Sequence, residues 1–283
     1  VQLLIREKAG IETKDNDGMT ALMHAANHGK TSCAEVLIDA GADIEAKDHE
    51  DATALHWAAA DGKTESLRLL IAVGACIEAR DEYGQTALMA AAVNDESACA
   101  QILLEANADL EARDNDGKTA LMVAADEESA ACLQVLLNSN ANIEARDYDG
   151  ATALMWAALR NCTCMQLLID FKADIKARDS HGLTALMYAA EGGDVACVQG
   201  LIDAKADLDV KDNKGKTALT WANEQGHPDV AQLLYAAKHP EFVDDVDGNT
   251  PLMRAIKRND LTEVSMLLSC KVDVEARNNH GCN

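Results

Sequence analysis

Four Gly-Lys-Thr strings are candidate phosphate binders: Gly29-Lys30-Thr31, Gly62-Lys63-Thr64, Gly117-Lys118-Thr119 and Gly215-Lys216-Thr217. A loop that cradles phosphate needs another glycine five positions before the first. His24, Trp57, Ala112 and Val210 occupy those places, so no nucleotide site is expected. His24 and His28 are four apart, a spacing by which one helix face can hold a metal. No third ligand accompanies them, and no metal is expected. Cys162-Thr163-Cys164 lacks the second pair and the histidines of a zinc motif. Asn161-Cys162-Thr163 fits a glycosylation sequon, which an intracellular chain leaves unmodified. There is no H-E-x-x-H, no G-x-S-x-G and no catalytic Cys/His arrangement. Carboxylates are abundant, but they recur at fixed places instead of pairing in a pocket. The reading is a non-enzyme that needs no cofactor.

Composition points the same way. The chain has 283 residues, 48% hydrophobic but only 3% aromatic, so small and aliphatic side chains must build its core. The formal net charge of −23 repels nucleic acid and anionic lipid, and neither is an expected partner. It favours basic protein partners instead. No apolar run approaches the length of a membrane span, and the opening VQLLIREKAG is too short in apolar core for a signal peptide. Nine cysteines without a paired spacing read as reduced thiols of a cytoplasmic protein, not as a disulfide framework.

The elements that carry these residues repeat. A segment starting at Asp15 recurs from Asp48, Asp81, Asp114, Asp147, Asp179, Asp212 and Asp245, at a spacing of 33 residues except for 32 between Asp147 and Asp179. The missing residue falls near Asn161 to Cys164. Each unit opens on an Asp and a Gly that flank two variable residues, as in Asp114-Asn115-Asp116-Gly117, which suits a tight turn closing on a left-handed glycine. A Thr then precedes Ala-Leu-Met, and Thr is a good helix N-cap. A short helix of small residues, a turn, and a second helix with Leu133, Val135, Leu136 and Leu137 follow. The unit ends in an extended stretch such as Ile143-Glu144-Ala145-Arg146. One such unit buries little, and stacked units share a core. Cys33, Cys99, Cys132, Cys164 and Cys197 take one position facing that core. The recurring pairs Lys47-Asp48, Arg80-Asp81 and Arg113-Asp114 are expected to compensate charge between adjacent fingers.

The D-x-x-G-x-T-x-L opening, the A-A of the first helix, the L-L of the second and the Gly41-Ala42-Asp43-Ile44 close resemble the ankyrin repeat family. The resemblance implies an all-α ankyrin-repeat solenoid of stacked helix-turn-helix units with short β-hairpin fingers. Residues 15–277 would form eight repeats in one continuous solenoid. Residues 1–14 would be the second half of a preceding repeat and residues 278–283 the start of another, in a monomeric segment of a longer chain. The family's T-P-L-H mostly reads T-A-L-M here. Pro survives only at Pro251 and His only at His56, so local hydrogen bonding should change and the core become more apolar. Asp51 stands where its repeat should have the turn glycine, and the stretch AAKHPEFVDD should form a distorted loop.

In resembling proteins partners lie across the finger tips and the exposed face of the first helices. Trp57, Trp156 and Trp221 share one position there with Tyr188, and Tyr83 and Tyr148 sit on fingers. Either they anchor a partner or they are half buried against the next repeat. Glu50, Asp61, Glu82, Asp126 and Glu127 make the early repeats acidic. Leu159 and Arg160 lie mid-array, and Arg254, Lys257 and Arg258 make the last repeat basic. The expected function is non-catalytic: a scaffold or adaptor that binds a protein or peptide, with a basic segment, along its concave surface. The alternatives are a rigid spacer in a large assembly, or the regulatory array of a larger enzyme or channel. These expectations rest partly on the resemblance.

Overall fold

The computed structural model describes residues 10–160, 162–238, 250–261, 264–265 and 268. Most of the half-repeat expected over 1–14, the AAKHPEFVDD loop beyond Lys238, the last finger and residues 278–283 lie outside them. The chain divides into two compact units, Val1–Tyr148 and Asp149–Asn283. In the first, helices come in pairs: α1 (Ala21–Asn27) with α2 (Thr31–Asp39), α3 (Ala54–Ala60) with α4 (Thr64–Ala72), α5 (Ala87–Val93) with α6 (Ser97–Glu105), and α7 (Ala120–Asp126) with α8 (Ala130–Asn138). The second unit has α9 (Ala153–Arg160) with α10 (Cys162–Asp170), α11 (Ala185–Gly192) with α12 (Val195–Asp203), α13 (Ala218–Gln225) with α14 (Pro228–Lys238), and α15 (Pro251–Arg258). No strand occurs among the described residues. The fold is all-α, of the ankyrin-repeat solenoid class.

The first helices are only seven or eight residues long, too short to persist alone. A threonine in extended backbone starts them: the Thr20 and Thr250 hydroxyls accept hydrogen bonds from Met23 N and Met253 N. Packing supplies the rest. Within the first unit α1, α3, α5 and α7 lie side by side, as do α2, α4, α6 and α8. Paired alanines such as Ala58 and Ala59, and Ala91 and Ala92, are fully buried, so first helices approach closely. Leu67, Leu70, Leu103, Leu133 and Leu136 of the second helices fill the remaining core. The second unit repeats this with Leu154, Met155, Leu168, Leu186, Met187 and Leu201.

The methionines that replace the family's histidine have a visible consequence. His56 Nδ1 accepts from Thr53 N at 3.2 Å, and its Nε2–H donates to the carbonyl of Gln85 in the next finger at 3.1 Å. The Thr53 hydroxyl also meets His56 Nδ1 at 3.0 Å, whereas beside Met89, Met122 and Met155 the Thr86, Thr119 and Thr152 hydroxyls are buried without a hydrogen-bond partner, unlike the Thr20 and Thr250 hydroxyls beside Met23 and Met253. The core is more apolar, as the sequence suggests, at the cost of unmade polar contacts.

Each finger follows a hairpin path but is a turn. Asp48 N donates to Ala52 O at 3.0 Å, and Asp48 Oδ1 accepts from the N–H groups of Glu50 and Ala52, both at 2.9 Å. Asp51 adopts φ +61° at the glycine position, a conformation Asp tolerates better than most residues. Successive fingers join by one backbone bond each. His49 N donates to Asp17 O at 3.1 Å, Glu82 N to Glu50 O at 2.8 Å, and Tyr148 N to Asp116 O at 3.1 Å. Gly117, at φ +82°, is required there, because a Cβ would lie 2.8 Å from Tyr148 N.

The shortened repeat loses its residue at the turn between helices. Residues 61–63 separate α3 from α4, but a single residue separates α9 from α10.

Candidate partner-binding face

Nine positions after each finger aspartate, on the first helix, stands the residue of the predicted aromatic stripe. The structure ties it back to that aspartate. The indole N–H of Trp57 donates to Asp48 Oδ2 at 2.8 Å, and that of Trp221 to Asp212 Oδ2 at 3.1 Å. The Tyr188 hydroxyl donates to Asp179 Oδ2 at 3.0 Å, and His24 Nε2 meets Asp15 Oδ2 at 2.7 Å. The aspartate therefore holds the turn with one oxygen and the helix with the other. Trp57, Trp156, Tyr188 and Trp221 are all half-buried, and the polar edges of Trp57, Tyr188 and Trp221 face the finger aspartates. Trp156 meets Tyr188 edge-on, with centroids 6.3 Å apart, and the Lys216 ammonium lies 4.9 Å from the Trp221 ring centre.

The tie and the turn's backbone bonds both bear on Asp15 and Asp212. The hydrogen bond from His24, then those from the backbone, hold Asp15 below the usual carboxylate value. Burial alone would raise Asp212, but the N–H groups of Lys216 and Lys214 and the Trp221 indole outweigh it and the carboxyl sits low. Asp114 faces Val123 at the same position, and burial prevails over its two backbone bonds, so its pKa is raised.

The remaining predicted residues divide by exposure. Tyr83 and Tyr148 are 55% and 71% exposed at the finger tips. A hydrogen bond with Glu82, and then the charges of Glu82 and Glu50, push the Tyr83 phenol above its ordinary value. Leu159 and Arg254 are half-buried, and Arg160, Lys257 and Arg258 are exposed. Among the predicted acids, Glu50, Asp61, Glu82 and Glu127 are exposed. Asp126 is not available in the same way: Lys118 Nζ pairs with it at 2.7 Å, both side chains being 15% exposed.

The expected charge ladder is corrected. Lys and Arg residues before the fingers reach backbone carbonyls of the next repeat: Lys14 Nζ donates to Lys47 O at 2.6 Å, Lys47 Nζ to Arg80 O at 3.1 Å, and Arg178 Nη2 to Lys211 O at 2.7 Å, while Lys47 Nζ also lies 3.8 Å from Asp51 Oδ1 of its own finger. The neighbouring aspartate is already engaged by its own turn. A second ladder uses the glutamates of the extended stretch. Glu45 accepts from Cys76 N at 2.8 Å, Glu78 from Asp109 N at 2.9 Å, and Glu111 from Asn142 N at 2.8 Å. Much of the negative charge is thus built into the repeat.

A family model described as ankyrin repeats (3 copies) matches residues 1–81, 77–147, 144–212 and 193–278. The chain belongs to the ankyrin repeat family. No curated protein matches it. Ankyrin repeats are in general protein–protein interaction modules and are typically non-catalytic. No described helix of this ankyrin repeat chain is long and apolar enough to cross a membrane.

The cysteines follow the repeat, with one correction. Cys99, Cys132, Cys164 and Cys197 are fully buried, and burial pushes the Cys99 thiol up to about 11 and that of Cys132 to about 12, which lowers the thiolate fraction of both. Cys162, however, forms a disulfide with Cys197, where the sequence suggested reduced thiols throughout. With Asp194 this pair is also the metal-capable cluster found among the described residues, its ligand atoms lying within 4.8 Å of one another. His24 and His28 do not converge: His24 is held by Asp15, and His28 Nδ1 meets the His24 carbonyl at 3.0 Å. The tie between finger and helix was legible in principle, because a donor recurs nine residues after the aspartate in several repeats.

Proposed function

We propose that this ankyrin repeat segment is a non-catalytic scaffold or adaptor that binds a protein or peptide through the fingers and first helices of its units. In the first unit the contact surface is Trp57, Tyr83 and Tyr148 among exposed acids, and it suits a basic segment. In the second unit it is Trp156, Leu159, Arg160, Tyr188 and Trp221, with Arg254, Lys257 and Arg258 on α15. A cytoplasmic setting is supported by the free thiols Cys33, Cys76, Cys99 and Cys132.

One observation carries the reading. Asp61 and Glu127 are the C-cap residues of α3 and α7, and both are exposed. A carboxylate at a helix C-terminus opposes the helix dipole and costs roughly 0.3–1 kcal/mol. These acids do not serve the fold, unlike the finger aspartates and the glutamate ladder. Exposed on the first helices, as Glu50 and Glu82 are around the protruding Tyr83, they serve recognition of positive charge.

The test is site-specific photo-crosslinking. A benzophenone amino acid is placed at Tyr83 or Tyr148, and for comparison at Arg68 or Gln134 on the second helices. Random-library peptides that bind the protein are then identified by mass spectrometry. Crosslinks from the finger positions to Lys- and Arg-rich peptides support the proposal. Crosslinks from the second helices alone would favour a spacer decorated on its other side.

A further inference from the structure

We infer that Cys162 and Cys197 form a reversible dithiol–disulfide site that exchanges with low-molecular-weight disulfides and ties α10 to α12. The repeat geometry brings the two together. In the first unit, Cys132 holds the place on α8 that Cys197 holds on α12. Its N–H donates at 2.8 Å to Oδ1 of Asp95, which sits in the turn of the preceding helix pair. A residue at this place therefore overlies its predecessor's turn. A single residue separates α9 from α10, and Cys162 follows it as the first residue of α10. Its Cα lies 4.8 Å from that of Cys197, within the range a disulfide spans.

Core packing does not explain Cys162. The core place on α10 is already taken by Cys164, which is fully buried. Cys162 opens its helix, where Thr31, Thr64, Ser97 and Ala130 open theirs. It is half-buried, whereas Cys197 has no exposure. Asp194 caps α12, accepting from Ala196 N at 2.8 Å and Cys197 N at 3.1 Å, and this sets its carboxylate beside both sulfurs. A neighbouring negative charge favours the neutral disulfide over a pair of thiolates.

The exposure difference assigns the order of events. The Cys162 thiolate attacks one sulfur of a small disulfide such as oxidised glutathione, forming a mixed disulfide and expelling one glutathione thiolate. The Cys197 thiolate then attacks the Cys162 sulfur, closing the internal bond and expelling the second. Two electrons pass from the protein to glutathione, and the two protons lost by the thiols are taken up by the departing thiolates. The product is a covalent tie between neighbouring helix pairs, sequence separation 35, so that they open together instead of separately.

The full chain is equilibrated across a series of reduced and oxidised glutathione, quenched with acid, alkylated and mapped by mass spectrometry. Hydrogen exchange is read at both ends of the series, for the wild type and for Cys162→Ser, whose fold is checked by circular dichroism. Cys162 and Cys197 are expected to become protected together in one two-electron step that dithiothreitol reverses. Amide exchange over α10–α12 should then slow by roughly tenfold or more in the oxidised form, with α1–α7 unchanged and Cys162→Ser insensitive. Native-state alkylation of Cys162 throughout the series would overturn the inference. So would identical exchange in both states, or a reduced form that holds one zinc per chain and resists oxidised glutathione.

Discussion

Replacing His56 with methionine, the residue at this place in most other repeats, isolates what one buried imidazole does. It accepts from Thr53 N and donates to Gln85 O across the repeat boundary. The methionine sulfur can take over the first role weakly, as Met23 Sδ does for Thr20 N at 3.3 Å. The inter-repeat bond has no replacement. A net hydrogen bond contributes about 1 kcal/mol, and the lost acceptor quality adds a fraction of that, so His56→Met should cost about 1–1.5 kcal/mol at pH 8. The cost depends on pH with a definite sign. Burial, opposed in part by the Gln85 carbonyl, lowers the His56 pKa from 6.5. The unfolded chain therefore binds the proton first. The histidine's contribution is complete above the unfolded value and is lost as pH falls through the folded one. Urea denaturation followed by tryptophan fluorescence at pH 8 and pH 5 measures this. The wild type should lose its advantage over the variant at the lower pH. A difference that stays constant, or grows on acidification, would mean that a charged imidazole is stabilised in the fold and would refute the reasoning.

Met89→His should do the converse, pairing the buried Thr86 hydroxyl and raising stability by about 1 kcal/mol, read as a higher urea midpoint. Trp221→Phe removes the indole donor from Asp212. It should raise that carboxyl's pKa in an NMR titration and cost about 1.5 kcal/mol at neutral pH. Because the folded pKa lies below the ordinary 3.8, this loss should shrink as pH falls through the folded value. Asp51→Gly relieves a left-handed aspartate and should stabilise the first unit by a few tenths to about 1 kcal/mol, visible as a rise in melting temperature.

The sequence revealed the fold through residues whose role is local. Thr before Ala-Leu-Met announces a helix start, and Asp51 aligned with finger glycines announces a left-handed turn, because backbone geometry at these places depends on a few neighbours. What remained hidden depends on reach. Lys47 read as a partner for a carboxylate, yet Asp48 is spent on its own turn, and the long side chain finds a carbonyl of the next finger. Trp57 read as either anchor or core, and it is a half-buried ring whose N–H secures the finger. Cys162 read as one more reduced thiol outside any zinc motif, since a single deletion between helices changes which side chains face each other without changing the pattern of the helices. The finger tyrosines were legible as exposed because nothing in the repeat can cover a finger tip.

The central claim is that the exposed acids serve recognition at the expense of the fold. The direct measurement is the double reversal Asp61→Lys with Glu127→Lys, assayed for thermal stability and for binding of library-selected basic peptides by fluorescence anisotropy. The account predicts melting unchanged or raised, by up to roughly 1 kcal/mol per site. It also predicts affinity reduced by roughly tenfold or more at low salt, with the difference fading at high salt. Unchanged affinity, or stability and affinity falling together, would contradict it.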